Sequence, residues 1–191
     1  MTRALLSLGS NLGDRCRHLR EAVAGLGEAV LVVSGVYETP PWPPGDDAPA
    51  TLAQHRVAAP RRPPAYLNAA VLVADAGTDP YRWLALARHL ERAAGRARDP
   101  SNQYAPRTLD IDVIMVWDDA DQPVVSDDPE LTLPHPRAHL RAFVLRPWVD
   151  IQPYAKLPGH GALTDLLRRD PVAADLPGIR ARPDLAIESD S

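Results

Sequence analysis

The sequence predicts an α+β domain, a ferredoxin-like pattern in which helices cover a mostly antiparallel sheet. Segments with strand and helix periodicity follow one another in the order strand, helix, strand, strand, helix, strand, helix. The 191 residues show neither an internal repeat nor a second domain, and a chain of this length can bury one large core. Hydrophobic residues make up 45% and charged residues 24% of the chain, as is typical of globular proteins.

The first 75 residues contain three predicted strands, one helix and one long loop. Residues 3–8, 29–39 and 66–75 are rich in aliphatic and β-branched side chains, which favour strands. Between the first two strands, apolar residues recur at helical spacing over 14–26. Residues 40–65 include eight prolines and few large apolar side chains. We therefore expect a loop there that is longer than an ordinary connection.

Three helices and one strand are expected in the rest of the chain. Their predicted bounds are 78–95 for a helix, 109–117 for a strand, about 137 onward for a short helix and 161–169 for a last helix. A polar loop, 96–106, precedes the strand. Residues 1–175 are expected to form a single domain, and residues 176–191 a flexible polar tail.

Charge and cysteine content argue against several classes of protein. The net charge of −4 is unlike that of a dedicated nucleic-acid-binding domain. Cys16 is the single cysteine, so no disulfide can form within the chain. No apolar run is long enough to span a membrane, and the first residues show no secretory signal. We expect a cytoplasmic protein with neither nucleic-acid nor membrane partners.

Two aspartates interrupt the apolar strand at 109–117. Residues two apart in a strand point to one face and lie about 6.6 Å apart along the chain, so Asp110 and Asp112 present their carboxylates together. A hard divalent cation such as Mg²⁺ relieves their repulsion and prefers carboxylate and phosphate oxygens. The alternative is the solvated face of an edge strand, but apolar Ile114 and Val116 continue the same face.

Arginines near this strand favour a phosphate ligand. Arg96, Arg98 and Arg107 carry guanidinium groups, which bind phosphate oxygens through paired hydrogen bonds. They could instead only neutralise the aspartates in a structural ion-pair cluster. Combined with Asp110 and Asp112, however, they more often indicate a metal ion together with a phosphate.

Tyr66 and Asn68 share one face at the start of a predicted strand. A tyrosine ring with a neighbouring amide matches the edge of a heterocycle. Alternatively, Tyr66 packs under the long loop. Phe143, the single phenylalanine of the chain, is by itself more typical of a core residue.

His135, Arg141 and Glu91 also have two interpretations each. His135 lies between two prolines and Arg141 follows it, so this pair either contacts phosphate or is structural. Glu91 lies near the apolar face of its predicted helix. It either accepts hydrogen bonds from a ribose or amine, or pairs with Arg96 or Arg98.

Six segments of the chain form a specific combination over about residues 3–150: LSLGSNLGD, YETPPW, YLNAAV, ERAAGRAR, PRTLDIDVI and LTLPHPRAHLRAFVLRPW. Together they resemble the 6-hydroxymethyl-7,8-dihydropterin pyrophosphokinase family. The resemblance implies a ferredoxin-like, three-layer α/β/α fold. It also implies transfer of pyrophosphate from ATP to the pterin hydroxymethyl group in folate biosynthesis, with AMP released. Two Mg²⁺ ions as cofactors, ATP as co-substrate and a monomeric protein are the further expectations.

The resemblance assigns roles to individual residues. Asp110 and Asp112 match the metal ligands, and with Arg96 and Arg107 they are the predicted catalytic residues. The predicted pterin-binding residues are Thr39, Pro40, Trp42, Tyr66, Asn68 and Phe143. The predicted ATP-binding residues are Glu91, Arg98, Tyr104, Arg107, His135 and Arg141.

The chain departs from the family pattern in two loops. The loop at 40–65 is longer than usual, and Asp99 and Tyr104 stand where the family usually has a basic residue and a tryptophan. These differences bear on ATP affinity and rate. The alternative function is a catalytically weak relative that binds partners as a scaffold through the proline-rich loop. A ferredoxin-like RNA-binding module is disfavoured, because basic charge and RNA-stacking aromatic motifs are missing from the sequence.

Overall fold

The computed structural model describes residues 1–41, 64–77, 79–96 and 107–188. Within these ranges a six-stranded sheet carries helices on both faces, the predicted three-layer α/β/α arrangement. The strands are Thr2–Ser10 (β1), Val30–Val33 (β2), Tyr37–Thr39 (β3), Tyr66–Asp75 (β4), Asp110–Trp117 (β5) and Arg180–Ala181 (β8), with a separate hairpin of Lys156–Leu157 (β6) and Gly161–Ala162 (β7). The helices are Arg15–Leu26 (α1), Tyr81–Ala93 (α2), Ala142–Ile151 (α3), Leu163–Leu166 (α4) and Val172–Asp175 (α5).

The strand pairings in the described part of the sheet are all antiparallel. β1 lies between β4 and β5, while β2 and β3 pair with opposite ends of β4 along its other edge. The register places Gly9 of β1 opposite both Asn68 of β4 and Asp110 of β5. One end of the sheet therefore brings together residues that are far apart in sequence.

The two faces of the sheet bury separate apolar cores. α1 and α2 pack on one face, where Leu19 and Trp83 join Val71 of β4. α3 packs on the other face, where Trp148 is fully buried and joins Leu72 of β4. Full burial of one large apolar side chain stabilises a fold by about 1.5–3 kcal/mol. A slip of one residue in a strand would exchange these faces, so the apolar alternation fixes the register.

Both long helices of the α1–α2 layer begin at a carboxylate. Asp14 accepts a hydrogen bond from the Arg17 backbone N–H (3.0 Å) and caps α1. α1 ends at Leu26, and the following residue, Gly27, caps it with a φ of +57° that suits glycine. α2 begins at Tyr81, later than the predicted residue 78, and Asp79 accepts a hydrogen bond from the Tyr81 backbone N–H (2.9 Å).

Two predicted elements are divided in the structure. The strand expected over 29–39 becomes β2 and β3, with Ser34 in the break. The Ser34 N–H donates to the Ala70 carbonyl (2.9 Å), but the Ala70 N–H donates to Ser34 Oγ (2.8 Å). The side chain thus replaces a main-chain acceptor of the ladder and lets the backbone turn away. The helix expected over 161–169 is only the short α4, which follows β7 directly.

Residues 176–188 contain regular structure in the stretch for which the sequence predicts a flexible tail. They contain a 3₁₀ turn, Leu176–Gly178, and β8, which pairs with β3. Ile187 is only 3% exposed and belongs to the core beside α1. Leu185 packs partly against the same core, and Leu176 and Ile179 pack partly against the core on the other face. The sheet therefore extends beyond residue 175, the predicted domain end, while residues 189–191 lie outside the described ranges.

Among the described helices, none combines the length and apolar character that crossing a membrane requires.

Candidate active site

The predicted site residues that the structure describes gather at one end of the sheet. Most lie on the face that α3 covers, because Asn68 and Asp110 alternate with residues that point to the α1–α2 core. Gly9 of β1 lies between them. A Cβ at Gly9 would be 3.2 Å from Asn68 Oδ1 and 4.0 Å from Asp110 Cβ. A glycine at this position therefore leaves the space between Asn68 and Asp110 free of a side chain, and the site residues fall into two groups on either side of it.

The first group, which we call the acidic half of the site, consists of Asp110 and Asp112 and the arginines that contact them. Asp110 accepts hydrogen bonds from Arg107 (Nη1 to Oδ2, 2.6 Å) and from Arg96 Nη1. Asp112 accepts one from Arg141 Nη1 (2.9 Å), just before α3. The side chains of Asp110 and Asp112 keep 24% and 35% of their surface exposed. The carboxylate pair is accessible to solvent and contacted by cations.

Glu91 lies behind the acidic half. It is 3% exposed and accepts hydrogen bonds from the Arg96 side chain and from the Ile111 backbone N–H (3.0 Å). A carboxylate with so little exposed surface needs charged or hydrogen-bonding partners of this kind. Of the two roles that the sequence allows, the structure contains the pairing with Arg96, and direct ATP contact by Glu91 stays a prediction.

Asn11 is a site residue that the sequence patterns do not reveal. It is buried, its Oδ1 accepts a hydrogen bond from the Arg107 backbone N–H (2.8 Å), and its own N–H donates to the Arg107 carbonyl (3.2 Å). Burial acts to lower the pKa of Arg107, but Asp110, Tyr66 and Asp112 together outweigh it, and the net pKa is raised. Asn11 thus holds a permanently charged guanidinium next to Asp110. The sequence signal for Asn11 is weak, because it consists of a single polar residue directly after a buried strand.

The second group, the neutral half of the site, consists of Thr39, Tyr66, Asn68 and Phe143. Asn68 donates a hydrogen bond from Nδ2 to Thr39 Oγ1 (2.8 Å), and both side chains are buried. Tyr66 pairs with Thr39 across the strands, and burial raises the pKa of Tyr66, so that its hydroxyl stays protonated. The Arg141 guanidinium lies 5.6 Å from the Phe143 ring centroid. These residues include two aromatic rings and uncharged hydrogen-bonding groups.

His135 completes the described residues near Asp112. The ring nitrogen Nδ1 accepts a hydrogen bond from the Arg137 backbone N–H (3.1 Å). The backbone N–H of His135 donates to the Ile114 carbonyl (2.8 Å). Burial lowers the pKa of His135, against the opposing effect of Asp112. The imidazole is therefore neutral at neutral pH with its hydrogen on Nε2, from which it can donate to an anionic ligand.

The remaining predicted site residues are only partly covered. Pro40 follows Thr39 directly and is the last residue but one of the described segment 1–41. Trp42, Arg98 and Tyr104 lie outside the described residues, as does Asp99.

The donor set of the acidic half fits magnesium only in combination with a ligand. In the described part of the chain, no group of three or more His, Cys, Asp and Glu side chains is placed to hold a metal ion. Asp110 and Asp112 supply two hard carboxylates on one face. Mg²⁺ is commonly bound by one or two carboxylates together with water and substrate phosphates. The residues present therefore fit a metal ion that arrives with a phosphorylated substrate.

Comparison with known sequences agrees with this combination of groups. The family model described as 7,8-dihydro-6-hydroxymethylpterin-pyrophosphokinase (HPPK) matches residues 5–153. The relatives with this activity in their name, 2-amino-4-hydroxy-6-hydroxymethyldihydropteridine pyrophosphokinase, include three bacterial proteins. The one from Mycobacterium tuberculosis (strain H37Rv) is 41% identical over 82% of this chain and 76% of its own length. The one from Mycobacterium leprae is 40% identical over 94% and 88%, and that from Bacillus subtilis 32% over 85% and 85%.

Solved structures support the fold. A Plasmodium falciparum HPPK-DHPS structure with pterin and p-hydroxybenzoate aligns with a TM-score of 0.62 at 14% identity, over 94% of this chain and 46% of that one. The chain thus spans less than half the length of that protein, and the likeness concerns the fold alone. Because the family model covers most of the sequence and the relatives exceed 30% identity, the chain belongs to the 7,8-dihydro-6-hydroxymethylpterin-pyrophosphokinase family.

Proposed function

We propose that this protein transfers the pyrophosphoryl group of ATP to the hydroxymethyl group of 6-hydroxymethyl-7,8-dihydropterin and releases AMP. The observation that carries the proposal is the accessible pair Asp110 and Asp112, surrounded by arginines and lying across β1 from the buried Asn68–Thr39 hydrogen bond. One group suits a polyphosphate with its metal ions, and the other suits a flat heterocycle. The names of the relatives support the same activity.

Charge balance in the acidic half favours two magnesium ions. Three arginines and three carboxylates contact one another there, and their charges cancel: Arg96, Arg107, Arg141, Asp110, Asp112 and Glu91. A triphosphate adds several negative charges to a neutral cluster, and two divalent cations held by Asp110 and Asp112 would compensate them. Bound there, the ions would neutralise phosphate charge and lower the pKa of the attacking hydroxyl group.

The arginines would then orient the phosphates. A guanidinium group binds carboxylate and phosphate oxygens through the same paired geometry, so Arg96, Arg107 and Arg141 can pass from one acceptor to the other. Glu91 retains Arg96 at the site, and Asn11 retains Arg107 through its backbone. Phosphoryl transfer depends mainly on positioning and charge stabilisation, which these side chains can supply.

The neutral half would hold the pterin. The rings of Tyr66 and Phe143 can stack on a flat heterocycle, and Asn68 can bond to its polar edge. Asn68 is held in place by Thr39, so its amide is oriented before the ligand binds. Gly9 leaves the gap through which the hydroxymethyl group would face the phosphates.

The direct test is product analysis. Wild-type protein with ATP, Mg²⁺ and the reduced pterin is expected to yield AMP and pterin pyrophosphate by mass spectrometry, and EDTA is expected to stop the reaction. Wild-type protein that yields neither product would overturn the proposal and favour the scaffold function of the loop at 40–65.

The number of metal ions can be counted separately. Titration with Mn²⁺ in the presence of a non-hydrolysable ATP analogue, followed by electron paramagnetic resonance, is expected to saturate at two ions per chain. Saturation at one ion would refute the second site and leave the activity itself untouched.

We also propose that the protein acts as a monomer in the cytoplasm on these two small molecules. Analytical ultracentrifugation at micromolar concentration is expected to give a single species with the mass of one chain. A dimer would contradict the expectation about assembly.

A further inference from the structure

We infer that residues 178–187 brace the neutral half of the site and thereby set the affinity for the pterin, with little influence on ATP. This inference rests on the proposed function, because it assigns the segment to the same site. The segment lies beyond residue 153, where the match to the family model ends. We call it the C-terminal brace.

The brace first acts through backbone pairing. β3 is only three residues long, and Thr39 is its last residue. β8 pairs with β3, with Ala181 opposite Tyr37, and the Arg182 N–H donates to the Val36 carbonyl (2.8 Å). A short strand that would otherwise form an edge of the sheet is thereby bonded on both sides.

A second contact fixes Glu38, the central residue of β3. Arg182 Nη1 lies 3.2 Å from Glu38 Oε2, and the same guanidinium is held by Asp184 through two hydrogen bonds of 2.9 and 2.8 Å. From the other side, Arg15 Nη1 lies 2.9 Å from Glu38 Oε1 and donates to the Ala65 carbonyl (2.7 Å). Arg15 therefore links Glu38, which precedes the long proline-rich loop, to Ala65, the last residue of that loop, and Arg182 holds the other oxygen of Glu38.

The third contact is with Pro40, one of the predicted pterin-binding residues. A Cβ at Gly178 would lie 3.2 Å from Pro40 Cγ and 3.3 Å from Pro40 Cδ, so the glycine backbone sits directly against this proline. The far end of the brace is anchored elsewhere. Ile187 is buried in the core, and Arg20 of α1 donates to the Ala186 carbonyl (3.1 Å). The segment is thus held at both ends, and between them it pairs with β3.

These contacts act on one half of the site. The Thr39–Asn68 hydrogen bond depends on where β3 lies against β4, and the brace sets that position. Asp110 lies on β5, beyond β1, and forms ion pairs with Arg96 and Arg107. Disturbing the brace should therefore weaken pterin binding while leaving the phosphate-binding residues in place.

The test compares Michaelis constants of full-length variants. We expect Arg182→Ala to raise the KM for the pterin about fivefold, as loss of partly exposed ion pairs allows, while the KM for ATP changes less than about twofold. Gly178→Val should act in the same direction by displacing Pro40, and Arg182→Lys should restore part of the loss. Arg168→Ala, which removes an exposed arginine paired only loosely with Asp165 (3.7 Å), is the matched control.

Hydrogen exchange separates the brace from the activity. Amide exchange over residues 36–41 is expected to accelerate in Arg182→Ala and to stay unchanged in Arg168→Ala.

If active wild-type enzyme and Arg182→Ala share the same KM for the pterin and the same exchange, the inference is wrong and the proposed function stands. If both Michaelis constants rise together, the segment is a general stabiliser. If the wild-type protein is inactive, the proposed function and the pterin role fail together, and exchange alone decides whether the segment braces β3.

Discussion

The acidic and neutral halves of the site hold their side chains in place by different means. Around Asp110 and Asp112, charged groups contact one another directly, and the cluster keeps part of its surface open to solvent. Around Asn68 and Thr39, the central hydrogen bond is between neutral, buried groups, and the ion pairs on β3 are made by its central residue, Glu38. Both halves lie on the same sheet, but ion pairs hold the side chains of one half and a buried hydrogen bond those of the other.

This difference follows from what each half is proposed to bind. A polyphosphate with its cations carries enough charge to compete for the arginines, so ion pairs can be exchanged on binding. A neutral heterocycle has no such charge. If the Asn68 amide were misplaced, electrostatic attraction to the ligand would not bring it into position. The neutral half therefore needs rigid support before the ligand arrives, which is the general advantage of preorganisation.

The largest effect is expected from neutralising the acidic half. Asp110→Asn and Asp112→Asn keep the side-chain shape but remove the charge that would hold a metal ion, so kcat should fall by roughly 10³-fold. AMP release measures the rate, and circular dichroism should show a retained fold. Asp119→Asn, in the exposed turn after β5, is the control and should keep the wild-type rate. Near-normal turnover in either site variant would show that the metal assignment is wrong.

Glu91 tests whether the acidic half also depends on buried support. Glu91→Ala leaves Arg96 and the Ile111 N–H without this carboxylate, so the free energy of unfolding should fall by about 3 kcal/mol. Glu21→Ala removes only an exposed helical pair with Arg17 and should cost about 0.5 kcal/mol or less. Urea denaturation measures both. Equal losses in the two variants would mean that Glu91 contributes no more than a surface carboxylate.

Gly9 tests whether the two halves meet where the geometry places them. Gly9→Ala adds a methyl group 3.2 Å from Asn68 Oδ1, so kcat/KM should fall roughly tenfold through displacement of the reacting groups. Gly35→Ala is the control, because its Cβ would make only ordinary contacts, the nearest at 3.7 Å. A rise in the KM for the pterin with unchanged kcat would assign Gly9 to the neutral half alone.

The sequence indicates the carboxylate pair of the acidic half more directly than it indicates the residues that support the neutral half, for a physical reason. Asp110, Asp112 and Arg107 are close together in the chain, and the period of a strand is enough to place the two carboxylates on one face. Glu38, Arg15 and Arg182 come together only after the sheet has formed, and no local pattern indicates their contact. The brace lies in the stretch for which the sequence predicts a flexible tail, because its charged residues give no local sign that Ile187 is buried.

The fold shows the same division between local and distant information. Helix α1 and strand β4 closely follow their predicted bounds, because apolar periodicity and capping residues are local signals. The break between β2 and β3 depends on Ser34 meeting the backbone of Ala70, a partner on another strand. Such a substitution of a side chain for a main-chain acceptor becomes visible only once the strands are paired.

The smallest effect is expected at Tyr37, which ties β3 to α3. Its hydroxyl donates to Asp150 Oδ2 (2.5 Å), and the Arg146 guanidinium lies 5.2 Å from its ring centroid. Loss of this hydrogen bond in Tyr37→Phe should lower the free energy of unfolding at pH 7 by about 1 kcal/mol. Tyr154→Phe, at a side chain exposed to solvent, should change nothing.

The pH dependence of the same variant gives the sharper test. Burial and the hydrogen bond to Asp150 raise the pKa of Tyr37 to about 12, whereas an unfolded tyrosine ionises near pH 10. Because the unfolded chain loses this proton first, the contribution of Tyr37 to stability is complete below pH 10 and is lost as the pH rises towards 12. Urea denaturation over this range should show wild-type protein losing stability more steeply than Tyr37→Phe. Parallel curves would mean that Asp150 does not hold the hydroxyl proton, and the attachment of β3 to α3 would then rest on Arg146 and apolar packing.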